Sequence, residues 1–415
     1  MKRSVTFEKM VVELSRVIVG ATFMFSGFVK AVDPLGFTYK IQDYLIELNL
    51  TELFSLAFPA AVIMVVAEFA LGVLLLLGIY RKATTHLIGL FLLFFTPFTL
   101  WVALTNPVKD CGCFGDALII SNWQTFYKNL ILLAGIVFLI INWKKITPLY
   151  SSKVAPATAL FVVLFGVLFS LHNTYRLPIL DFRPYKIGAN IPSQMYVDPE
   201  KADIYETIFI YSKDGTEKEF SEENYPWDDS TWTFIDMETR LVKEGEKPAI
   251  EDFAIESLYQ DETGVWKIGG DITDLVLSDT TPAFLMVSYS LEMMNTDHLD
   301  KFKEIMKFAD ENGYPFYILT ASSSEVVEDW EAQYITGTQF CHADERTLKT
   351  MVRANPGLIL IKEGTVVNKW DDSKVPSSEE VFSKDPKSGK GIGLLVTALL
   401  FFVPLLFLKL ADKKK

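Results

Sequence analysis

Six long apolar runs constrain this chain more than any other feature. They cover residues 10–30, 58–78, 84–104, 123–141, 156–172 and 392–408. A helix of about 20 residues crosses a hydrocarbon layer of about 30 Å, so each run is predicted to span a membrane, the fifth at the lower limit of length. Because 22% of the 415 residues are nevertheless charged, the sequence predicts a membrane part joined to a water-exposed part.

The charges beside these runs predict their orientation. If the N-terminus is cytoplasmic, the inside segments hold almost all of the nearby basic residues, as the positive-inside rule requires. These residues are Lys2, Arg3, Lys9, Arg81, Lys82, Lys144, Lys145, Lys153, Lys409, Lys413, Lys414 and Lys415. The short outside loops hold only Lys40 and Lys109, with Lys30 at a helix edge. No small-residue cleavage site follows the first run, so it is predicted to be an anchor and not a removed signal peptide.

The segment between the fifth and sixth runs is predicted to lie outside and to be acidic. Residues 176–390 carry 42 acidic and 22 basic residues. This excess argues against nucleic-acid binding, and the ordinary solubility of an outer surface explains it. In this topology both termini are cytoplasmic, and all three cysteines face the oxidising compartment, where a disulfide can persist.

Hydrophobic periodicity predicts two kinds of structure in the outer segment. Residues 175–191 are rich in aromatic residues and proline and are predicted to be extended, and the alternating runs 207–211 and 231–236 are predicted strands. From residue 281 onward, strands are predicted at 283–289 and 316–320, helices at 297–312, 324–334 and 347–354, and a hairpin at 357–361 and 366–370. This order favours a central sheet covered by helices. Residues 384–390 are predicted to form a polar linker.

The order of elements, with Asn355-Pro356 directly before the hairpin, resembles the thioredoxin-like fold over residues 248–376. The resemblance implies a cis bond before Pro356, and residues 186–191 and 250–255 look like the opening strands of the peroxiredoxin/TlpA branch. The family has a Cys-x-x-Cys after the first core strand, whereas this chain has Ser288-Tyr289-Ser290-Leu291-Glu292-Met293-Met294. Dithiol chemistry inside this domain is therefore excluded, and Cys341 is a lone thiol.

Cys111 and Cys113 are the strongest candidates for chemistry. They lie one residue apart in the turn Asp110-Cys111-Gly112-Cys113-Phe114-Gly115-Asp116, at the outer end of the third run. A bridge between them would close a very small loop, so it would add little stability, and it would be strained and easily reduced. A redox or metal role is favoured over two small residues that happen to lie in a turn. Asp110 and Asp116 are expected to raise the thiol pKa values, which argues against fast attack.

Three charged residues in the apolar runs are predicted to support a site. Arg16 lies on one face of the first helix with Gly20, Phe23, Gly27 and Lys30, and the glycines permit close helix approach. Arg16 and Glu68 are predicted to pair, because a lone charge in lipid is costly. The pair is either a structural tie or part of a quinone or proton site. Lys128 lies below the cysteine turn and either anchors to head groups or favours a thiolate or a quinone carbonyl.

The motif Phe23-x-x-Ser26-Gly27-x-x-Lys30-x-x-Asp33-Pro34, the motif Glu68-x-x-x-Gly72 and the Cys-Gly-Cys-Phe-Gly turn resemble the DoxX/MauE-like membrane proteins over residues 8–145. The resemblance implies a four-helix, redox-associated bundle in the bacterial inner membrane, linked to quinone-coupled oxidation or to methylamine dehydrogenase maturation. The predicted fold class is thus an α-helical membrane bundle of six spans with an α/β thioredoxin-like extracytoplasmic domain and additional β segments. The predicted domains are 1–150 (bundle), 151–175 (fifth span), 176–247 (extended and β-rich), 248–384 (thioredoxin-like) and 385–415 (linker, sixth span and basic tail).

Three functions compete at this point. The first is a dithiol–disulfide relay, in which Cys111 and Cys113 exchange electrons with a quinone and with an extracytoplasmic protein partner. The second is a non-catalytic scaffold or assembly factor whose degenerate outer domain binds a client. The third is a metal site built from Cys111, Cys113, Cys341 and His342. The relay is the preferred function. The protein is expected to be surrounded by membrane lipid, no metal is predicted, and a quinone is the candidate cofactor.

Overall fold

The computed structural model describes residues 2–108, 110–243, 245–262, 264–335, 337–382 and 386–413. The predicted Lys109, Lys414 and Lys415, and the start of the predicted linker, lie outside these residues. Within them, six helices are long and apolar enough to cross a membrane: Phe7–Val32, Thr51–Leu77, Arg81–Thr105, Asn122–Ile141, Ala155–Tyr175 and Gly393–Asp412. The six apolar spans are confirmed as helices of spanning length. The fifth, at 21 residues, is longer than the sequence suggested.

The bundle contains one helix that the apolar runs do not predict. Its helices are α1 (Lys2–Val32), α2 (Pro34–Glu47), α3 (Phe54–Leu77), α4 (Arg81–Thr105), α5 (Asn122–Ile141) and α6 (Ala155–Tyr175), and the last helix, α12, covers Pro386–Lys413. Helix α2 begins at Pro34, and the Asp33 carboxylate accepts a hydrogen bond from the Gly36 amide. Proline in the first turn and an aspartate cap are strong helix-start signals, so α2 follows directly from the sequence 33–36.

Small residues bring α1 and α3 into close contact, as predicted. A Cβ atom at Gly27 would collide with the backbone of Phe69, and one at Gly72 would collide with the backbone of Met24. The helices therefore meet backbone to backbone. Leu76 lies opposite Gly20, which fixes the register of this antiparallel pair.

The outer part of the chain is built on a seven-stranded sheet in the described residues. Its strands are β4 (Glu256–Gln260), β5 (Trp266–Asp271), β6 (Ala283–Ser288), β7 (Phe316–Thr320), β8 (Gln339–His342), β9 (Gly357–Lys362) and β10 (Thr365–Asp371). The spatial order is β10-β9-β6-β7-β8-β4-β5, with β6 parallel to β7 and β7 parallel to β8. The predicted strands at 283–289 and 316–320 and the predicted hairpin are confirmed. Strands β4, β5 and β8 were not predicted, because they are short and exposed at one end.

Helices pack beside this sheet. They are α7 (Ile191–Met195), α8 (Thr273–Ser278), α9 (Leu299–Asn312), α10 (Ser324–Gln333) and α11 (Glu345–Met351). The predicted helices at 297–312 and 324–334 are confirmed. Helix α11 begins two residues before the predicted start, because Asp344 caps it by accepting a hydrogen bond from the Thr347 amide, and it ends at Met351. The peptide bond between Asn355 and Pro356 is cis, as expected.

Two local predictions are wrong. Residues 186–191 and 250–255 are not strands; their one β contact is an isolated bridge between Asn190 and Thr365. The backbone of the first segment instead leads into the short helix α7, which Asn190 caps. The predicted linker at 384–390 is helical from Pro386 onward, because proline at a helix start is favourable and the following residues continue into α12.

A second sheet of three strands extends from the outer part. Its strands are β1 (Ile204–Lys213), β2 (Thr216–Ser221) and β3 (Thr233–Lys243), with the order β2-β1-β3, all antiparallel. The predicted strands at 207–211 and 231–236 fall in β1 and β3. Every residue of β3 is exposed. This sheet therefore contributes little to the buried core of the outer part.

Candidate functional site

The cysteine turn is held between two well-defined helix ends. Helix α4 is followed by Asn106 as its C-cap, which has a left-handed backbone conformation, and Ser121 and Gln124 form a capping box at the start of α5. The Asn122 side chain donates hydrogen bonds to the Asn106 side chain and the Val108 carbonyl, 3.1 Å each. Gly112 has a φ of +69°, a conformation that side chains disfavour. The sequence around the cysteines therefore fixes a tight turn.

The two thiols meet inside this turn. The Sγ atoms of Cys111 and Cys113 lie 3.1 Å apart, and both are free thiols. Cys111 is 9% exposed. A disulfide needs about 2.05 Å between sulfurs, so a small movement would join them.

Three helices hold the turn in place. The Ser26 hydroxyl of α1 donates to the Cys113 carbonyl at 2.8 Å, and the Tyr44 hydroxyl of α2 donates to the Cys111 carbonyl at 3.4 Å. From α5, the Lys128 Nζ atom lies 4.4 Å from the centroid of the Phe114 ring. Lys128 is thus beside the turn, where the sequence located it. Its chemical role stays a prediction.

The two thiols are electrostatically unequal. The hydrogen bond from Cys111 lowers the pKa of Cys113 to about 6 against the effect of burial, and the positive charges of Lys128 and Lys30 act in the same direction. The same hydrogen bond, together with burial, raises the pKa of Cys111 well above its usual range. Cys113 is therefore the thiolate of the pair.

The expectation that Asp110 and Asp116 raise the thiol pKa values is wrong for Cys113. Asp110 accepts a hydrogen bond from the Gly112 amide at 2.8 Å and lies 3.3 Å from the Lys40 Nζ atom. Its charge is therefore partly balanced, and the hydrogen bond from Cys111, with Lys128 and Lys30, lowers the pKa of Cys113.

The thiols line an apolar cavity of about 220 Å³ in the bundle. Aromatic side chains supply much of its wall: Phe23, Phe37, Tyr44, Phe91, Phe94, Phe95 and Phe98. Phe94 is 64% exposed, so the cavity opens toward the side of the bundle that faces lipid. Pockets for whole drug-sized ligands are about 300–1,000 Å³, so this one suits a flat ring system whose tail stays in the bilayer.

A buried ion pair lines this cavity. The Lys30 Nζ atom lies 2.8 Å from Glu68 Oε2, and the Ser26 Oγ atom lies 2.8 Å from the same oxygen, so its one hydroxyl hydrogen is shared between Glu68 and the Cys113 carbonyl. Because Ser26 also binds the Cys113 carbonyl, the pair is connected to the turn through one side chain. The Lys30–Glu68 contact was not predicted from the sequence, although Lys30 lies on the same predicted face of the first helix as Arg16.

The predicted pairing of Arg16 with Glu68 is wrong. Arg16 bonds Glu13 at 2.9 Å, the Leu75 carbonyl at 3.0 Å and the Thr147 carbonyl at 3.0 Å. The apolar runs put Arg16 and Glu68 within about 6 Å of each other along the membrane normal. The observed register, with Gly20 opposite Leu76, instead places Glu68 level with Phe28, so at 1.5 Å per residue Arg16 and Glu68 are about 18 Å apart along the helix axis. Arg16 ties the inner ends of α1 and α3 together.

Cys341 and Pro356 lie away from the cysteine turn. Cys341 is fully buried in β8, and burial raises its pKa to about 12. The neighbouring His342 ring lies 3.1 Å from Glu256. No cluster of three or more metal-binding side chains occurs in the part of the chain that the structure describes, so Cys341 and His342 do not join the cysteine turn in one ligand set there, and the four-ligand site stays a hypothesis. Beside Pro356, Asn355 binds the Ser288 hydroxyl and the Ser290 carbonyl, in the loop that lacks the dithiol.

The outer domain contacts α2 through two ion pairs, of which the one made by Arg353 is buried and the one made by Arg346 is exposed. The Arg353 guanidinium binds the Asp33 carboxylate at 2.8 and 2.9 Å, and Arg346 binds Asp43 at 2.6 Å. Burial favours the neutral form of Asp33, but Arg353 outweighs it and lowers the pKa of this carboxyl. A polar cleft of about 870 Å³ lies between the two parts. Helix α2 thus connects the outer domain to the cysteine turn.

This fold defines a multi-span membrane protein with an outer β-rich domain. Residues 8–142, the bundle with the cysteine turn, match the family described as Methylamine utilisation protein MauE, so the membrane part is MauE-like. Residues 205–244, the three-stranded sheet, match a domain of unknown function, DUF8463. No curated protein and no solved structure matches the chain significantly.

Proposed function

We propose that Cys111 and Cys113 form a redox-active dithiol that passes electrons to a quinone bound in the apolar cavity. Two thiols lose two electrons and two protons as the S–S bond forms, and the quinone gains both to become a quinol. The reverse direction uses a quinol to reduce the disulfide. The observation that carries this proposal is that both thiols line an aromatic cavity open toward lipid.

Charged groups around the cavity supply the chemistry that the thiols need. Cys113 is the thiolate of the pair, and Cys111 is the thiol that gives up its proton as the S–S bond forms and two electrons pass to the quinone. Lys128 and Lys30 are the cations that favour the thiolate, and Glu68 balances the Lys30 charge. Because Cys113 is already deprotonated, Cys111 supplies one of the two quinol protons and water supplies the other.

Access to the thiols is proposed to be from the membrane side. Asp110 and Gly112 of the turn line the outer cleft, whereas Cys111 and Cys113 line the apolar cavity. The Lys40 side chain lies over Gly112 on the cleft side. An extracytoplasmic protein partner would therefore reach the sulfur atoms only after α2 moves.

The outer domain is proposed to be a thioredoxin-like domain without its dithiol. The supporting features are the β6–β7 parallel pair, the antiparallel β9–β10 hairpin and the cis bond before Pro356. The loop at 288–294 carries serines where such a domain has cysteines. We propose that this domain faces the periplasm of a bacterial inner membrane, because Arg81, Lys144 and Lys409 cluster at the opposite ends of the spans. We also propose that the protein takes part in methylamine utilisation, because the name of the MauE family states that role.

Quinone reduction by the purified, reduced protein tests this function. A short-chain quinone is added without oxygen, and quinol is followed by absorbance. Ile41→Trp fills the cavity from α2, and Leu48→Trp, at a residue 46% exposed beyond α2, is the matched control. The proposal expects loss of quinol formation in Ile41→Trp and in Cys113→Ser, with Leu48→Trp unchanged. Equal rates in Ile41→Trp and Leu48→Trp would refute the cavity as the quinone site.

A second candidate function is client binding by the three-stranded sheet. Tyr205, Phe234, Met237 and Leu241 are each more than half exposed. Exposed apolar side chains in such number are typical of binding surfaces. The test is Met237→Ser with Leu241→Ser. If the protein is a scaffold, this variant should lose the cellular function that depends on client binding, while quinol formation in vitro should be unchanged.

A further inference from the structure

A separate cavity of about 340 Å³ lies where the fifth and sixth spans leave the membrane. Its lining includes His172 and Arg176 at the end of α6 and Gly393 at the start of the sixth apolar span. A Cβ atom at Gly393 would lie 3.1 Å from the side chain of Ile179, so the segment after α6 passes close to the sixth span there. Since the ends of spanning helices define the head-group level, this cavity lies among lipid head groups.

The charges that line the cavity are unbalanced. Among the residues whose side chains the structure describes, four cations face two carboxylates: Arg176, Arg183, Lys369 and Lys374 against Asp181 and Asp371. This positive surplus occurs in an outer segment that is otherwise strongly acidic. Solubility does not explain a local surplus of the opposite sign.

Part of the surplus is buried. Arg183 is 2% exposed and Lys369 is 6% exposed, and both bind Asp181, at 2.8 and 2.6 Å. Asp181 is thus bound by two buried cations, and Asp33 and Asp116 also attract Arg183. Arg183 donates a further hydrogen bond to the Thr350 carbonyl at 3.1 Å, and Lys369 donates one to the Met351 carbonyl at 3.0 Å, so both cations are held in place beside the cavity.

The remaining cations are positioned at the mouth of the cavity. The Arg176 side chain is 42% exposed and contacts Asp371 at 3.4 Å, a long distance for an ion pair. Lys374 is exposed. Guanidinium and ammonium groups are the usual ligands of phosphate oxygens. Trp370 in the lining adds an amphipathic ring of the kind found at membrane interfaces.

We propose that this cavity binds the head group of an anionic phospholipid, with the phosphate near Arg176 and Lys374. A net negative head group neutralises the surplus, whereas a zwitterionic one does not. The acyl chains would continue along the lipid-facing sides of α6 and α12. The site contains neither Cys111 nor Cys113, so this inference stands or fails independently of the redox proposal.

Native mass spectrometry of the full-length protein tests the site. Phosphatidylglycerol and phosphatidylcholine with the same acyl chains are titrated separately, and inorganic phosphate forms a third arm. The double variant Arg176→Gln with Lys374→Gln removes both exposed cations, and Lys362→Gln removes an exposed lysine outside the cavity. At about one kcal/mol per basic residue near a charged lipid surface, the double variant should bind phosphatidylglycerol roughly thirtyfold more weakly, with Lys362→Gln unchanged.

The comparison of the two lipids needs no variant, because the unmodified protein should bind phosphatidylglycerol more tightly than phosphatidylcholine. Equal binding of the two lipids, or equal affinity of the double variant and Lys362→Gln, would overturn the proposal. Binding of inorganic phosphate that displaces phosphatidylglycerol would overturn the lipid as the ligand and leave a free-anion site.

Discussion

Replacing Cys111 with alanine removes the hydrogen bond that stabilises the Cys113 thiolate. With the pKa of Cys113 at about 6, roughly nine tenths of this thiol is ionised at neutral pH. A hydrogen bond to a charged acceptor contributes roughly 1.5–3 kcal/mol. Since about 1.36 kcal/mol corresponds to one pKa unit, the pKa of Cys113 should rise by roughly one to two units in Cys111→Ala. Lys128 and Lys30 remain, so the pKa should stay below that of a free thiol.

The assay is the rate of alkylation of Cys113 by iodoacetamide as a function of pH, followed by the mass of the intact protein. The parent for this measurement is Cys341→Ala, which leaves the cysteine turn as the sole source of thiols. The neutral reagent reports only the thiolate, so the midpoint of the rate curve gives the pKa. Cys111→Ser is a matched control, because a hydroxyl can still donate to the thiolate, and its midpoint should lie closer to that of the parent.

Two results would refute this reasoning. A parent midpoint close to that of a free thiol would mean that Cys113 is not activated by its surroundings. An unchanged midpoint in Cys111→Ala would mean that the contact between the two sulfur atoms has no part in the activation.

Two further predictions concern the framework around the site. Gly27→Ala places a Cβ against the backbone of Phe69 and should destabilise the bundle by about 1–3 kcal/mol. The control Gly166→Ala, whose new Cβ would have its nearest neighbour at 3.4 Å, should have little effect. Thermal unfolding in detergent compares the two variants, and equal melting temperatures would contradict the observed helix contact. Arg353→Met leaves the Asp33 carboxylate without its buried partner, so limited proteolysis should release the outer domain faster than from the unmodified protein. An unchanged cleavage rate would show that this ion pair does not hold the domain.

The large features of the fold could be predicted because they depend on local pattern. Each span is a continuous apolar run, and strand β7 has the predicted bounds, 316–320. Strand β8, in contrast, has four residues and is defined by pairing with β7 and β4, so its own sequence gives little signal. Helix α2 had a local signal in Asp33 and Pro34, but it lies between two spans and is too polar for an apolar-run search.

The candidate site was only partly predictable for a related reason. Cys111 and Cys113 are adjacent in sequence, so their proximity follows from the chain itself. The partner of Glu68 depends on the register of two helices, and a register set by small residues cannot be obtained from the ends of apolar runs. Taking Gly20, Gly27 and Gly72 as the contact points would have located Glu68 near Lys30.

The most direct test of the central claim is the redox state of the cysteine pair in nanodiscs, measured by differential alkylation and intact mass without oxygen. The reduced protein should lose two alkylatable thiols when a quinone is added and form one quinol per chain, while Cys111→Ala should form none. Thiols that stay reduced with excess quinone, or that oxidise equally without it, would contradict electron transfer from this pair to a quinone.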